Sequence, residues 1–150
     1  MEATRAMGEK AIRILTVDGD VPLIAQVEYA LEYDERFQLV GHLPSDERLC
    51  EAVRTRSPRI VLVMLSADTA GSATPGRRSS EVLNAVLNAI GQCPEPRIIA
   101  VVEKDTPEIR SLVLDGGAWG LVVKDGAGAT FAPTLRATLV AVNEGKVAFL

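Results

Sequence analysis

The sequence predicts a doubly wound (βα)5 sandwich of three layers, with a parallel sheet in the order 2-1-3-4-5 and helices on both faces. Three observations predict it. Short apolar runs alternate five times with segments of helical period. The run at 60–65 is apolar at every position, as strands covered on both faces are. Hydrophobic residues make up 47% of the 150 but aromatic ones only 4%, so Val, Leu, Ile and Ala must build the core. Right-handed crossovers between parallel strands then put helices on both sides of the sheet. The length suits one domain over 1–150, with its core at about 11–145.

The elements follow in order. A first strand at 12–17 leads to a helix whose inward stripe is Ile24, Val27 and Leu31, spaced for one helical face. A second strand at 37–41 precedes a helix with Leu49, Ala52 and Val53 inward. The third strand, 60–65, runs into a long loop at 67–80 rich in Ala, Gly, Ser and Thr, and Leu83, Val86, Leu87 and Ile90 make the next stripe. The fourth strand is 97–102. Thr106 is a helix cap, Pro107 suits a first turn, and Glu108 lies near the positive end of the helix dipole. Ile109, Leu112 and Val113 face inward from that helix, and Gly116-Gly117 should end it. A fifth strand at 120–123 and a last helix from near Pro133, burying Leu135, Leu139 and Val142, complete the pattern. After Gly145 the chain reads as a linker.

Composition excludes several functions. A formal charge of −4, with one dense basic pair at Arg77-Arg78, does not make a nucleic-acid surface. Cys50 and Cys93 read as reduced thiols, and the single His42 cannot build a zinc site, so no metal is expected. No apolar run approaches the roughly 20 residues of a membrane helix, and the first ten residues lack the apolar centre of a signal peptide. A cytoplasmic protein without membrane contact is expected. After the first strand, Asp18-Gly19-Asp20-Val21-Pro22-Leu23 is not the glycine pattern of a dinucleotide site. A flavin-phosphate loop would also stand there, whereas the hydroxyl-rich loop of this chain follows strand three. With no nucleophile beside a positioned base, neither catalysis nor a cofactor is expected.

In this topology ligands sit at the carboxyl ends of the strands. Those ends are Asp18-Gly19-Asp20, Met64-Leu65-Ser66, Val102-Glu103-Lys104 and Lys124-Asp125. The spacing of Asp18, Met64, Val102 and Lys124 resembles the receiver domain of bacterial response regulators, a flavodoxin-like fold, over nearly the whole chain. Val40-Gly41 after the second strand, Gly117-Ala118-Trp119-Gly120 before the fifth and Val123-Lys124-Asp125 after it extend the resemblance. The last cluster is similar to NarL/LuxR-type receivers, which precede a helix-turn-helix.

The resemblance implies phosphorylation of an aspartate at the end of the third strand, and there the sequence departs from it. An active receiver holds magnesium between an acidic pair ending strand one and the phospho-acceptor. Here Gly19 stands for the second acid, Met64 for the acceptor, Val102 for the strand-four Thr or Ser, and Leu121 for the switch aromatic. Asp18 and Lys124 remain. Asp20 cannot restore a pair of oxygen ligands with Met64 opposite it. The resemblance thus implies an atypical, phosphorylation-independent receiver, a signal-sensing and dimerising module of a two-component-type transcription regulator. It would reach DNA only through a separate helix-turn-helix domain not in this chain. The alternative is a stand-alone pseudo-receiver that binds a partner protein.

The degenerate pocket comprises Asp18, Gly19, Asp20, Met64, Val102 and Lys124. Lys124 either pairs with Asp18, since a buried cation needs a partner, or anchors an anionic ligand. Glu103 is either a permanent acidic occupant or a solvated charge, and the 67–80 loop either recognises a ligand or is a disordered insertion. Candidate contacts to a small-molecule effector are therefore Asp18, Ser66, Arg77, Arg78, Glu103 and Lys124. Trp119 and Leu121 are candidate interface residues of a homodimer.

Overall fold

The computed structural model describes residues 11–18, 21–44, 48–65, 96–102, 107–123 and 130–149. In chain order the elements are β1 (Ile12–Asp18), α1 (Val21–Leu31), β2 (Phe37–Leu43), α2 (Leu49–Arg56) and β3 (Ile60–Leu65). These are followed by β4 (Arg97–Val102), α3 (Pro107–Asp115), β5 (Gly120–Val123), α4 (Phe131–Asn143) and β6 (Ala148–Phe149). Every strand pairing is parallel, in the order β2-β1-β3-β4-β5-β6. The first five strands keep the order expected from the sequence. The expected helix carrying Leu83, Val86, Leu87 and Ile90, and the 67–80 loop, lie outside the described residues.

Alternation along the strands divides the core in two. Ile14, Ile60, Leu62, Met64, Ile99 and Val101 pack towards α1 and α4, whereas Leu15, Val17, Val61, Val63, Ala100 and Val102 pack towards α2 and α3. Helix α1 buries Leu23, Val27, Ala30 and Leu31. Leu23 rather than Ile24 leads this stripe, and Ile24 is half-buried at its edge. Helix α2 buries Leu49, Ala52 and Val53 as its spacing requires, and it ends where Ser57 turns left-handed at φ 50° and donates its N–H to Val53 O at 3.0 Å. Helix α3 starts on Pro107 and buries Val113, and Gly117 at φ +88° turns the chain behind it. Helix α4 begins at Phe131, ahead of Pro133, and buries Leu135, Leu139 and Val142. Each such buried Leu or Val is worth about 1.5–3 kcal/mol.

Three expectations are corrected. Strand β2 runs to Leu43, so Val40-Gly41 lies inside it, at a bulge where Ile14 pairs with Leu39 but Leu15 with Gly41. A β-carbon at Gly41 would run into the Arg56 guanidinium, which donates to Val40 O at 2.7 Å. Secondly, the segment after Gly145 is not all linker. Gly145 turns at φ +92°, and Ala148 and Phe149 pair with Gly120 and Leu121 as β6, with Ala148 N–H donating to Trp119 O at 2.8 Å. Two residues are too short a run to show as a strand in a sequence pattern. Thirdly, Cys50 is not a reduced thiol but disulfide-bonded. The other cysteine of the chain, Cys93, lies outside the described residues. Bridging depends on separation in space, which spacing along the chain does not reveal. Among the described residues no helix is long and apolar enough to cross a membrane.

Candidate functional site

The parallel register brings the strand ends together at one edge of the sheet. Asp18, the last residue of β1, pairs with Met64 of β3; Met64 pairs with Val101 of β4, and Val102 with Val123 of β5. Met64 therefore stands where the sequence pattern places it, beside the end of β1. Its side chain is 1% exposed and packs with the α1 and α4 core. Val102 is buried on the opposite face, towards α2 and α3. Gly19, Asp20, Ser66, Arg77, Arg78, Glu103 and Lys124 lie outside the described residues.

A polar pair that the sequence reading passed over adjoins Met64. Thr16, two residues before Asp18 and so on the same face of β1, is buried, and it is matched in register with His42 of β2. Its Oγ1 lies 2.8 Å from His42 Nδ1 and 3.4 Å from the Gly41 carbonyl oxygen. A buried hydroxyl needs such partners, because an unsatisfied one costs about 1–3 kcal/mol. Between these strands and α1 lies a cavity of about 220 Å³, lined by Thr16, His42 and Met64 with Ile24, Val27, Leu39 and the Glu28 side of the helix. Its walls are mainly aliphatic, with one hydroxyl, one imidazole and one carboxylate. Alternation in β1 was the signal for Thr16; nothing short of the register pointed to His42.

The chemistry of these groups is limited. A phosphoryl acceptor must be a nucleophilic oxygen or nitrogen that a base or metal can assist, and the Met64 thioether is neither. Magnesium takes hard oxygen ligands, and the thioether is a soft donor, so Met64 does not fit as a ligand of that ion.

The opposite edge of the sheet is built from charge. Arg13 donates to Arg56 O at 3.0 and 2.6 Å, at the end of α2, and Arg97 donates to Val142 O at 2.7 Å, at the end of α4. Both guanidiniums thus cap helix carboxyl ends, where the dipole favours a cation. Arg59 donates to Asn143 Oδ1 at 2.7 Å. Arg97 also lies 4.3 Å from the centre of the Trp119 ring, which leaves Trp119 half-buried beneath a cation. Leu121 is 2% exposed, so it belongs to the core and offers no surface to a partner. In the turn before β2, Arg36 donates to Asp34 at 3.0 and 2.7 Å. That bond, helped by the Arg36 backbone N–H and the Arg136 charge, holds the Asp34 carboxyl below its ordinary range despite partial burial.

No family model and no curated protein matches the sequence. Solved structures do match in shape. The non-phosphorylated receiver domain of the stress response regulator RcsB from Escherichia coli superposes with a TM-score of 0.72 at 21% identity, covering 94% of this chain and 99% of that one. This chain has the receiver fold. The isolated RcsB receiver from Salmonella enterica serovar Typhimurium, with the phosphomimetic BeF3-, gives 0.70 at 22% identity, covering 94% of both chains. The signal receiver domain of the putative response regulator NarL from Mycobacterium tuberculosis gives 0.65 at 21%, covering 91% and 99%. Of a longer Salmonella typhimurium RcsB chain, studied for its DNA interaction, this chain spans 62%.

Proposed function

We propose that the chain is an atypical receiver, a regulatory and dimerising module of a bacterial response-regulator-type transcription regulator that works without phosphoryl transfer. One observation carries this reading. The penultimate position of β3, in register with Asp18, holds a thioether 1% exposed and packed into the core, where phosphoryl chemistry requires an oxygen facing the strand ends. The module is non-catalytic, and its DNA contact is made by a separate helix-turn-helix domain. The solved structure of two RcsB dimers bound to two parallel DNAs is a precedent for a dimeric regulator on DNA. The aliphatic cavity beside Met64 supports control by a small, largely apolar effector with one hydrogen-bonding group; such a ligand would raise the melting temperature, because it binds the native state alone.

The test is incubation with magnesium and acetyl phosphate, read by intact mass, and with beryllofluoride, read by backbone amide shifts. Neither a phosphoryl adduct nor localised shifts are expected. A stoichiometric adduct overturns the proposal.

A further inference from the structure

We infer that the cavity between α1 and the sheet is a site for a small alkylamine, held with its ammonium group at the mouth between Glu28 and His42 and its alkyl body against Met64. The inference rests on the effector reading of this cavity in the proposed function and names the chemical class of the ligand. The cavity spans about 220 Å³. That is room for about seven groups of water size at ~30 Å³ each, and it falls short of the roughly 300–1,000 Å³ that encloses a drug-sized molecule. A chain of about six carbons with one polar head matches that space.

Exposure divides the lining from mouth to floor. Glu28 on α1 and His42 on β2 stand exposed, Ile24 and Leu39 are half-buried, and Val27, Thr16 and Met64 are buried. Thr16, the one buried polar side chain of the lining, is already bonded to His42. A ligand that keeps a charged head in reach of water and its apolar body out of it follows the same gradient.

The hydrogens of the lining fix the sign of that head. Thr16 has one hydroxyl hydrogen and two partners, His42 Nδ1 at 2.8 Å and Gly41 O at 3.4 Å. Both contacts are hydrogen bonds only if Nδ1 carries the ring proton and donates to Oγ1, while Oγ1 donates to Gly41 O. That tautomer leaves Nε2 with a lone pair. The lining then presents acceptors, namely Nε2 and the Glu28 carboxylate, and among its described residues no Lys, Arg, Asn or Gln. A carboxylate ligand would meet a like charge without a donor, and an alcohol has one hydrogen to give. An ammonium brings three N–H donors and a charge opposite to that of Glu28. Among the described residues no group of three His, Cys, Asp or Glu side chains could hold a metal ion instead.

Titration of the whole chain with n-hexylamine, hexanol and hexanoate at neutral pH, three probes of one length, tests the inference through backbone amide shifts. Hexylamine is expected to shift the amides of 24–28 and 39–42 saturably and to bind at least about tenfold more tightly than either other probe. Glu28→Gln should weaken hexylamine at least about tenfold and leave hexanol unaffected, and Glu28→Lys should turn the preference towards hexanoate, which a folding defect cannot do. Ile24→Phe, which fills the cavity, should abolish the response to all three. Trp119 fluorescence checks that each variant is folded. Hexanol binding as tightly as hexylamine, or a hexylamine response that survives Glu28→Gln, overturns the amine and leaves an apolar effector standing. Failure of every probe overturns amine and effector together, and leaves the phosphate-independent reading to its own test with acetyl phosphate.

Discussion

The two ends of the sheet differ in what holds them. At the amino end, arginines of β1 and β4 and Arg59, just before β3, tie the strands to the ends of α2 and α4, and the Arg36–Asp34 pair closes the turn before β2. At the carboxyl end, where this fold places its ligands, the described side chains are Met64 and Val102 in the core and one polar pair, Thr16 with His42. The difference teaches that charge at the amino end serves architecture, and that among the described residues of the carboxyl end Met64 and Val102 belong to the core. A parallel sheet tolerates this because its strands are held by backbone bonds and apolar faces, which do not depend on what the strand ends carry.

The most severe way to break this contrast is to place a carboxylate at position 64. Met64→Asp should lower unfolding free energy by about 3–5 kcal/mol in urea at neutral pH, the scale for an uncompensated buried charge, and should yield no phosphoryl adduct. Wild-type stability in that variant would mean an open, solvated site. At the other end, Arg97→Ala removes a charged hydrogen bond of 2.7 Å and the contact with Trp119 together, and should cost about 2 kcal/mol. Because Trp119 is the only tryptophan, a shift in its emission should accompany the loss.

Smaller changes sharpen the comparison. Thr16→Val should cost about 1 kcal/mol in the same denaturation assay, since His42 is exposed and water can take the place of the hydroxyl. Asp34→Asn should cost less than about 1 kcal/mol, because Arg36 is largely exposed and solvent screens the pair. Its pH dependence has a definite sign. The folded pKa lies below the ordinary 3.8, so the contribution is complete above that value and is lost as pH falls through the folded one. Thermal melts of wild type and variant should therefore differ at neutral pH and converge in acid.

Much of the fold was legible. The third, fourth and fifth strands keep their expected bounds, because a strand covered on both faces is apolar along its length, with Arg97 standing only at the start of the fourth. Strand β2 outran its expected end at Gly41 by two residues, because one of its faces is partly exposed and the apolar run stops at Gly41-His42. At the site, Met64 and Asp18 were legible as strand ends facing each other. Thr16 and His42 were not a pair until the bulge in β2 set their register, since 26 residues separate them. Leu121 was expected at an interface, whereas burial places it in the core; Trp119 is half-buried with Arg97 over its ring, a contact that its sequence position did not reveal.

By itself the sequence determined which stretches are apolar on one face or two, and hence the alternation of strands and helices, and it put a thioether at position 64. The tertiary structure decided which side chains meet. It set His42 against Thr16, Arg97 over Trp119, and β6 along β5. Periodicity is a property of one element, whereas contact depends on the register and packing of two.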